Sequence, residues 1–369
     1  MVFHILALIR KEFLALFKDK RSRITIIGPP IFQLFVFGYA ASFDLDHVPF
    51  AIYNEDPGEA SRVLAARFIG APVFELQGYI NDDGAIAPLI DNKKVLAVLH
   101  MGPHFSEYLA GGRPAPVQIL IDGRNSNTAL ILLNYARNVV IQFNQDWLQE
   151  QGGSPTPAMV TARAWFNPNL ASRWFIVPGI IALLSLVVSV LITALSVARE
   201  REAGTFDQLL VTPLRPVEIL IGKAVPGLVI GLIEGTVIIL IAVYWFDIPF
   251  NGSLLALYIG FALFLLASIG VGLMISSLAA TQQQGLLGGF LFLVPAVILS
   301  GFATPIENMH EAVQYLTYLN PMRYFLIVIR GVFLEGNDYA LLASQYWPMA
   351  LIAIVSLVLA GWLFRHRMY

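Results

Sequence analysis

The sequence has no cysteine, which excludes disulfide bonds and thiolate metal sites, so any domain it builds must hold together by packing alone. Charge is scarce as well: Asp, Glu, Lys and Arg amount to 13% of the 369 residues, against about 25% in soluble domains. No region combines a basic surface with an aromatic platform, which excludes nucleic acid as a partner. The chain also lacks a P-loop. Gly222-Lys223 is followed by Ala224, and Val217 stands where the pattern needs its first glycine, so ATP is not hydrolysed here by that route. Histidines fall short of a metal site: Gly102-Pro103 separates His100 from His104, and His310-Glu311 lacks the second histidine of a zincin helix. Scattered Ser and Asp make no recognisable triad, so no catalytic residue is assigned.

What the chain has in excess is apolar length, with 57% hydrophobic residues. Crossing ~30 Å of hydrocarbon as a helix takes roughly 20 apolar residues. Six stretches qualify, near 24–42, 174–198, 224–246, 254–278, 285–304 and 346–364. The expected fold is therefore an α-helical membrane protein with six transmembrane helices, one followed by five. A large extracytoplasmic α/β domain, 43–173, is inserted between the first and second. Positive charge sets the orientation. The segments 1–23, 199–223 and 365–369 hold six, four and two Lys/Arg, whereas 43–173 holds nine in 131 residues. Short loops rich in Lys/Arg stay in the cytoplasm, so both termini are expected inside. Basic residues ahead of an apolar run ending in Gly38-Tyr39-Ala40 also outline a cleavable signal peptide. The long amphipathic lead, Lys20-Arg21-Ser22-Arg23 and Pro29-Pro30 favour an uncleaved first span.

Within 1–23, Ile5, Ile9, Phe13 and Phe17 recur at helical spacing beside Arg10, Lys11, Lys18 and Lys20. That pattern predicts an interfacial helix resting on membrane lipid, or one packed on other protein. In 43–173, β-type runs at Val48–Tyr53, Val73–Leu76, Lys94–His100 and Val117–Asp122 alternate with helical stretches near 58–70, 82–91, 103–110 and 126–150. Gly152-Gly153-Ser154-Pro155-Thr156-Pro157 reads as a flexible joint. In 305–345, Asn320-Pro321, Arg323, Arg330 and Gly331 break the run Tyr324–Leu334, leaving a piece too short to span and suited to an outer re-entrant element.

The charged loop 199–223 between two apolar runs must protrude from the membrane. Thr205-Phe206-Asp207-Gln208 matches a helix-capping box, Gly204 before it permits a bend, and Pro216 starts a second helix. Phe206, Leu209 and Leu210 give the first helix an apolar face. The loop is either simply solvated, or that face is covered by a partner's groove. Glu234 is the only acid inside a span. It is a proton carrier or cation contact on a transport path, or a packing residue beside Gly231 and Gly235; Gln33 in the first span is a weaker candidate of the same kind. Asp122-Gly123-Arg124-Asn125-Ser126-Asn127 reads as a turn after a strand, or a ligand loop.

Taken together, VAREREAGTFDQLLVTPLRPVEILIGK at 197–223, the amphipathic start, Asp122–Asn127, Asn167-Pro168-Asn169, Gln282-Gln283-Gln284, Ser300-Gly301 leading to Pro305-Ile306-Glu307-Asn308-Met309, and Leu319-Asn320-Pro321 resemble ABC-2-type transporter permeases, YbhR-like ones of bacterial drug-efflux systems above all. The resemblance implies a coupling helix at 199–213 for a separate ABC ATPase subunit. Phe206, Gln208, Leu209 and Leu210, with Gly204 and Thr205, would meet that subunit, inside a polar rim of Arg199, Glu200, Arg201 and Glu202. It also implies an inner-membrane location, ATP and Mg bound only by the partner, a second permease copy or relative, and amphiphilic substrates such as drugs, with a periplasmic adaptor as a further candidate partner. Two rivals differ in class: an ion- or proton-coupled transporter using Glu234, and a receptor or scaffold with a ligand-binding outer domain.

Overall fold

Apolar runs without charge satisfy their backbone groups internally, and a helix is the way a single segment does so. The computed structural model describes residues 2–18, 20–40, 45, 47–124, 126–150, 172–206 and 214–366. They form two units, 1–42 with 164–369, and 43–163. The first unit opens with α1 (Val2–Lys18) and α2 (Lys20–Ala40), the latter passing through Pro29 and Pro30. In α2, Leu34 is buried whereas Gln33 is exposed, so Gln33 is not packed among the described residues.

The second unit is a sheet with helices on both faces. Its elements are β1 (Val48–Asn54), α3 (Glu59–Gly70), β2 (Phe74–Ile80), α4 (Ile86–Asp91), β3 (Ala97–Met101), α5 (Phe105–Ala110), β4 (Val117–Ile121) and α6 (Ser126–Glu150). The order is β2-β1-β3-β4, with β1 parallel to both neighbours and β4 antiparallel to β3. Alternation along β1 feeds two cores. Phe50 and Ile52 pack with Leu64, Phe68, Leu99, Leu132 and Phe143, while Ala51 joins Ile80, Ile86 and Val98 on the other face. A strand buried on both faces reads as a continuous apolar run, which is why Val48–Tyr53 was legible.

Two carboxylates tie this unit's loops. Asp56 accepts from Gly58 N (3.0 Å) and from Ser106 N and Oγ (3.3 and 2.5 Å). Burial pushes its carboxyl up, but the bonds from Ser106, Ser61 and Gly58 outweigh that and leave it below its ordinary value. Asp122 accepts from Arg124 Nε at 2.8 Å, and Arg124 Nη2 reaches back to Ile90 O at 2.7 Å. The Arg124 guanidinium holds Asp122 down to about 2. Among the described residues, Asp122–Arg124 is thus a turn locked onto the end of α4.

The first unit resumes with α7 (Ser172–Glu202), α8 (Pro216–Tyr244), α9 (Leu254–Leu278), α10 (Gln282–Ile298), α11 (Glu311–Thr317), α12 (Pro321–Arg330) and α13 (Tyr339–His366). Ser172–Glu202, Val217–Tyr244, Leu254–Leu278 and Tyr339–His366 are long and apolar enough to cross a membrane. The expected span 285–304 is a shorter helix that ends at Ile298. Phe325 of α12 stacks on Phe261 and Phe264 of α9, with centroids 5.4 and 4.5 Å apart. The helices meet at glycines: a Cβ on Gly270 would lie 2.1 Å from Ser356 Oγ and 3.0 Å from the backbone nitrogen of Leu357.

Asn320-Pro321 separates α11 from α12, as expected, and α12 with its extension stays too short to span a membrane, but Arg323, Arg330 and Gly331 do not stop the helix. Asn320 caps α12, accepting from Met322 N (3.1 Å), and Pro321 sits in the first turn, where its missing N–H costs nothing. Gly331 keeps a helical φ of −59°, and the backbone runs on through five π-helical residues, Gly331–Glu335. Gly336, at φ 74°, ends it, since that left-handed conformation favours glycine. The joint 152–157 and Asn167-Pro168-Asn169 lie outside the described residues.

Two outcomes follow. Replacing Gly270 by valine forces α9 from α13 and lowers the melting temperature of the purified protein, an overpacking cost of about 1–3 kcal/mol; Gly70→Ala, with open space around its Cβ, leaves it nearly unchanged. Because Asp56 and Asp122 titrate below their unfolded values, both stabilise the fold above pH ~4 and lose that contribution in acid, Asp122 as pH falls through about 2. Acid titration followed by tryptophan fluorescence reads this window, and Asp122→Asn narrows it.

Candidate functional site

The loop joining α7 to α8 starts from a tied base. At the end of α7, Ala203 N donates to Arg199 O (3.0 Å), Gly204 N to Arg201 O (3.1 Å) and Thr205 N to Glu200 O (3.0 Å). Gly204, exposed and at φ 67°, makes the reversal. The Thr205 hydroxyl donates to Glu200 O at 3.3 Å. It closes α7, and the backbone turns helical again at Phe206, in keeping with the expected helix start at Thr205; the expected capping partner Gln208 lies outside the described residues, as do Leu209 and Leu210.

Phe206 is the main correction. Expected as an exposed anchor for a partner's groove, it is only 5% exposed and packs with Leu8, Val197, Ile219 and Phe364. Its ring meets Phe364 edge-on at 5.5 Å, and the Arg201 guanidinium lies 4.9 Å from its centre. The cover comes from α1, α8 and α13 of the same chain. Nor are Glu200 and Arg201 a polar rim. Arg201 donates to Ser277 O (2.9 Å) and Ala279 O (3.1 Å) at the end of α9. Glu202 accepts from Gln282 N at 2.8 Å, fixing the start of α10, and Arg199 is partly exposed.

Glu200 lies at the centre of a buried charge cluster. Its Oε1 accepts from Lys11 Nζ at 2.5 Å, and its Oε2 stands 2.9 Å from Lys223 Nζ. Lys223 in turn reaches Glu12 Oε1 at 3.0 Å and Ser196 Oγ at 3.2 Å. The Lys223 side chain is 4% exposed and that of Glu200 10%, so the pair is held in low dielectric, where each charge needs its partner. Nearby, Glu218 in the first turn of α8 accepts from Arg215 N at 2.8 Å, with His4 of α1 3.8 Å away. From sequence, Lys11 was read only as part of the basic side of the first helix and Lys223 only as failing the P-loop pattern, and Glu12 was not singled out.

Glu234 is 9% exposed, and among the described residues neither of its oxygens has a hydrogen-bond partner. It sits in α8 between Gly231 and Gly235, whose faces press on Leu265 and Phe261 of α9. Gluing helices by a hydrogen bond within the chain is therefore not its role. In the other unit, His100 contacts Glu55 (3.0 Å) and Gln118 (3.2 Å) beside a cavity of about 400 Å³ lined by His104, Phe105 and Tyr108. Among the described residues no three His, Asp or Glu converge as a metal site.

The pattern for an ABC-2 family transporter protein matches residues 20–362. The chain belongs to the ABC-2 transporter family. This ABC-2 chain is 38% identical to a protein of Escherichia coli K12 named "Probable multidrug ABC transporter permease YbhR", over 99% of its own length and 100% of that protein's. It is 31% identical to "Probable multidrug ABC transporter permease YbhS" of the same organism, covering 90% and 88%, and 27% identical to "Inner membrane transport permease YhhJ", covering 93% and 91%.

Replacing Lys223 by methionine leaves Glu200 with Lys11 alone and takes the lysine from Glu12, and costs this ABC-2 chain up to about 3–5 kcal/mol, read as a fall in melting temperature. Adding Glu200→Gln recovers part of the loss, because Lys11, 47% exposed, keeps its charge in water.

Proposed function

We propose that this chain is the membrane permease subunit of an ATP-driven exporter, moving amphiphilic substrates, drugs among them, out across a bacterial inner membrane. Its membrane region has six helices, with α2 and α10 joining the four long apolar ones, both termini in the cytoplasm, and 43–173 outside. A separate ABC ATPase, which supplies ATP and Mg, docks on 199–213, and a second permease, identical or related, completes the pathway; a periplasmic adaptor is a further partner. The chain itself binds no cofactor and carries no catalytic group.

The observation that carries this reading is the tied loop base on a member of the ABC-2 family. Arg201 and Glu202 fasten the loop to α9 and α10, Phe206 to α1, α8 and α13, and Glu200 to α1 and α8. A push on a loop so fastened moves helices rather than bending the loop, which is what transmission of a nucleotide-driven stroke requires. In this account Phe206, Glu200 and Arg201 act as the mount. Leu209, Leu210 and Gln208 are left to meet the ATPase, with Arg199, Gly204 and Thr205 beside them.

The test is vanadate-sensitive ATPase activity of the chain co-purified in lipid with a P-loop ATPase encoded beside it. Leu209→Ala/Leu210→Ala is expected to lose the ATPase or its membrane-dependent activity at least tenfold, about 1.4 kcal/mol or more. Wild-type behaviour of that variant, or an ATPase that never associates, sinks the reading. Transport that persists without an ATPase and vanishes on Glu234→Gln favours ion coupling through the unpartnered carboxylate.

A further inference from the structure

Arg330 ends α12 close to where α7 and α13 begin, at the far end of the membrane unit from Glu200 and Lys223. Gly331 beside it faces Asn337 and Leu342, and its own guanidinium carbon lies 3.8 Å from the ring centre of Phe175. The other buried cations of this unit are matched: Lys223 has Glu12 and Glu200, and Arg201 has two carbonyls. Arg330 has nothing comparable. Its Nε and Nη2 are enclosed and donate to no group, and it makes no ion pair among the described residues. Glu335, the nearest acid in sequence, accepts from Asn337 Nδ2 at 2.6 Å. A guanidinium shielded from water without a counter-ion is unfavourable, and its planar fork matches phosphate and carboxylate oxygens. Access is from the Phe175 side, since Phe175 is 44% exposed and the remainder of Arg330 partly so, while Nε and Nη2 lie just beneath.

We propose that Arg330 and Phe175 form a subsite for the anionic head of an amphiphile, its phosphate or carboxylate on the guanidinium and its apolar body against the Phe175 ring. Both a bilayer phospholipid and an exported single-chain amphiphile present this chemistry. The proposal rests on the membrane reading of this unit but requires no ATPase, so its test is separable from that of the exporter.

Native mass spectrometry of the purified full chain, in neutral detergent with phosphatidylglycerol, phosphatidylcholine or dodecyl phosphate, measures retention directly. Wild type is expected to retain one of the two anionic probes about tenfold over phosphatidylcholine. Retention of phosphatidylglycerol assigns the subsite to lipid, and retention of dodecyl phosphate alone assigns it to a single-chain amphiphile. Arg330→Gln abolishes the preference while phosphatidylcholine adducts persist as a check on folding; Arg330→Lys keeps part of it. Should Arg330→Gln fail to fold, Phe175→Leu leaves the cation in place and is expected to weaken retention several-fold. Equal retention of anionic and zwitterionic probes by wild type, an unchanged preference in Arg330→Gln, or an unchanged preference in Phe175→Leu overturns the proposal.

Discussion

One carboxylate, Glu200, organises the loop-bearing end of the membrane unit. It takes a lysine from α1 and another from α8 while standing on α7. A buried charge of this kind contributes little net stability against an apolar substitute, but losing one partner is costly. Its value is in geometry. Three helices that apolar packing would let slide past one another are held to one arrangement by oxygens and nitrogens that must meet at hydrogen-bond distance. Phe206 adds α13 to the same assembly through Phe364, so the connection between α7 and α8 issues from a fixed platform.

A different device serves the body of the bundle. Glycines on α8 and α9 admit aromatic and hydroxyl side chains of neighbouring helices at distances a Cβ would forbid. Such contacts suit lipid, where the hydrophobic effect no longer drives helix to helix and close approach supplies the attraction. The polar clamp and the glycine seams thus divide the labour. The seams set how near the helices lie, and the clamp sets where along their length they stop.

Legibility in the sequence followed the range of the forces involved. The strands of the second unit and the start of α8 at Pro216 were readable because alternation and capping are local. Strand order was not, since it depends on pairings such as Phe50 with Ala97 that no local pattern encodes. The charged loop was recognised, yet the orientation of its residues was misjudged. Whether Phe206 faces a partner or its own chain is decided by Leu8 and Phe364, near opposite ends of the sequence. Arg330 and Gly331 looked like a break because an isolated charge and a glycine usually end an apolar helix. The structure carries the helix past them and leaves the charge without a counter-ion.

The clamp also bears on biosynthesis. Lys11 and Glu200 are separated by 189 positions, and Glu12 and Lys223 by 211. As the chain emerges from the ribosome, α1 is made before its partners and waits while the second unit and α7 are synthesised. Its partners are complete only after residue 223 has appeared. A segment translated well before its partners is thus among the last to reach its final contacts, and docking of α1 reports that the two helices flanking the loop have been placed.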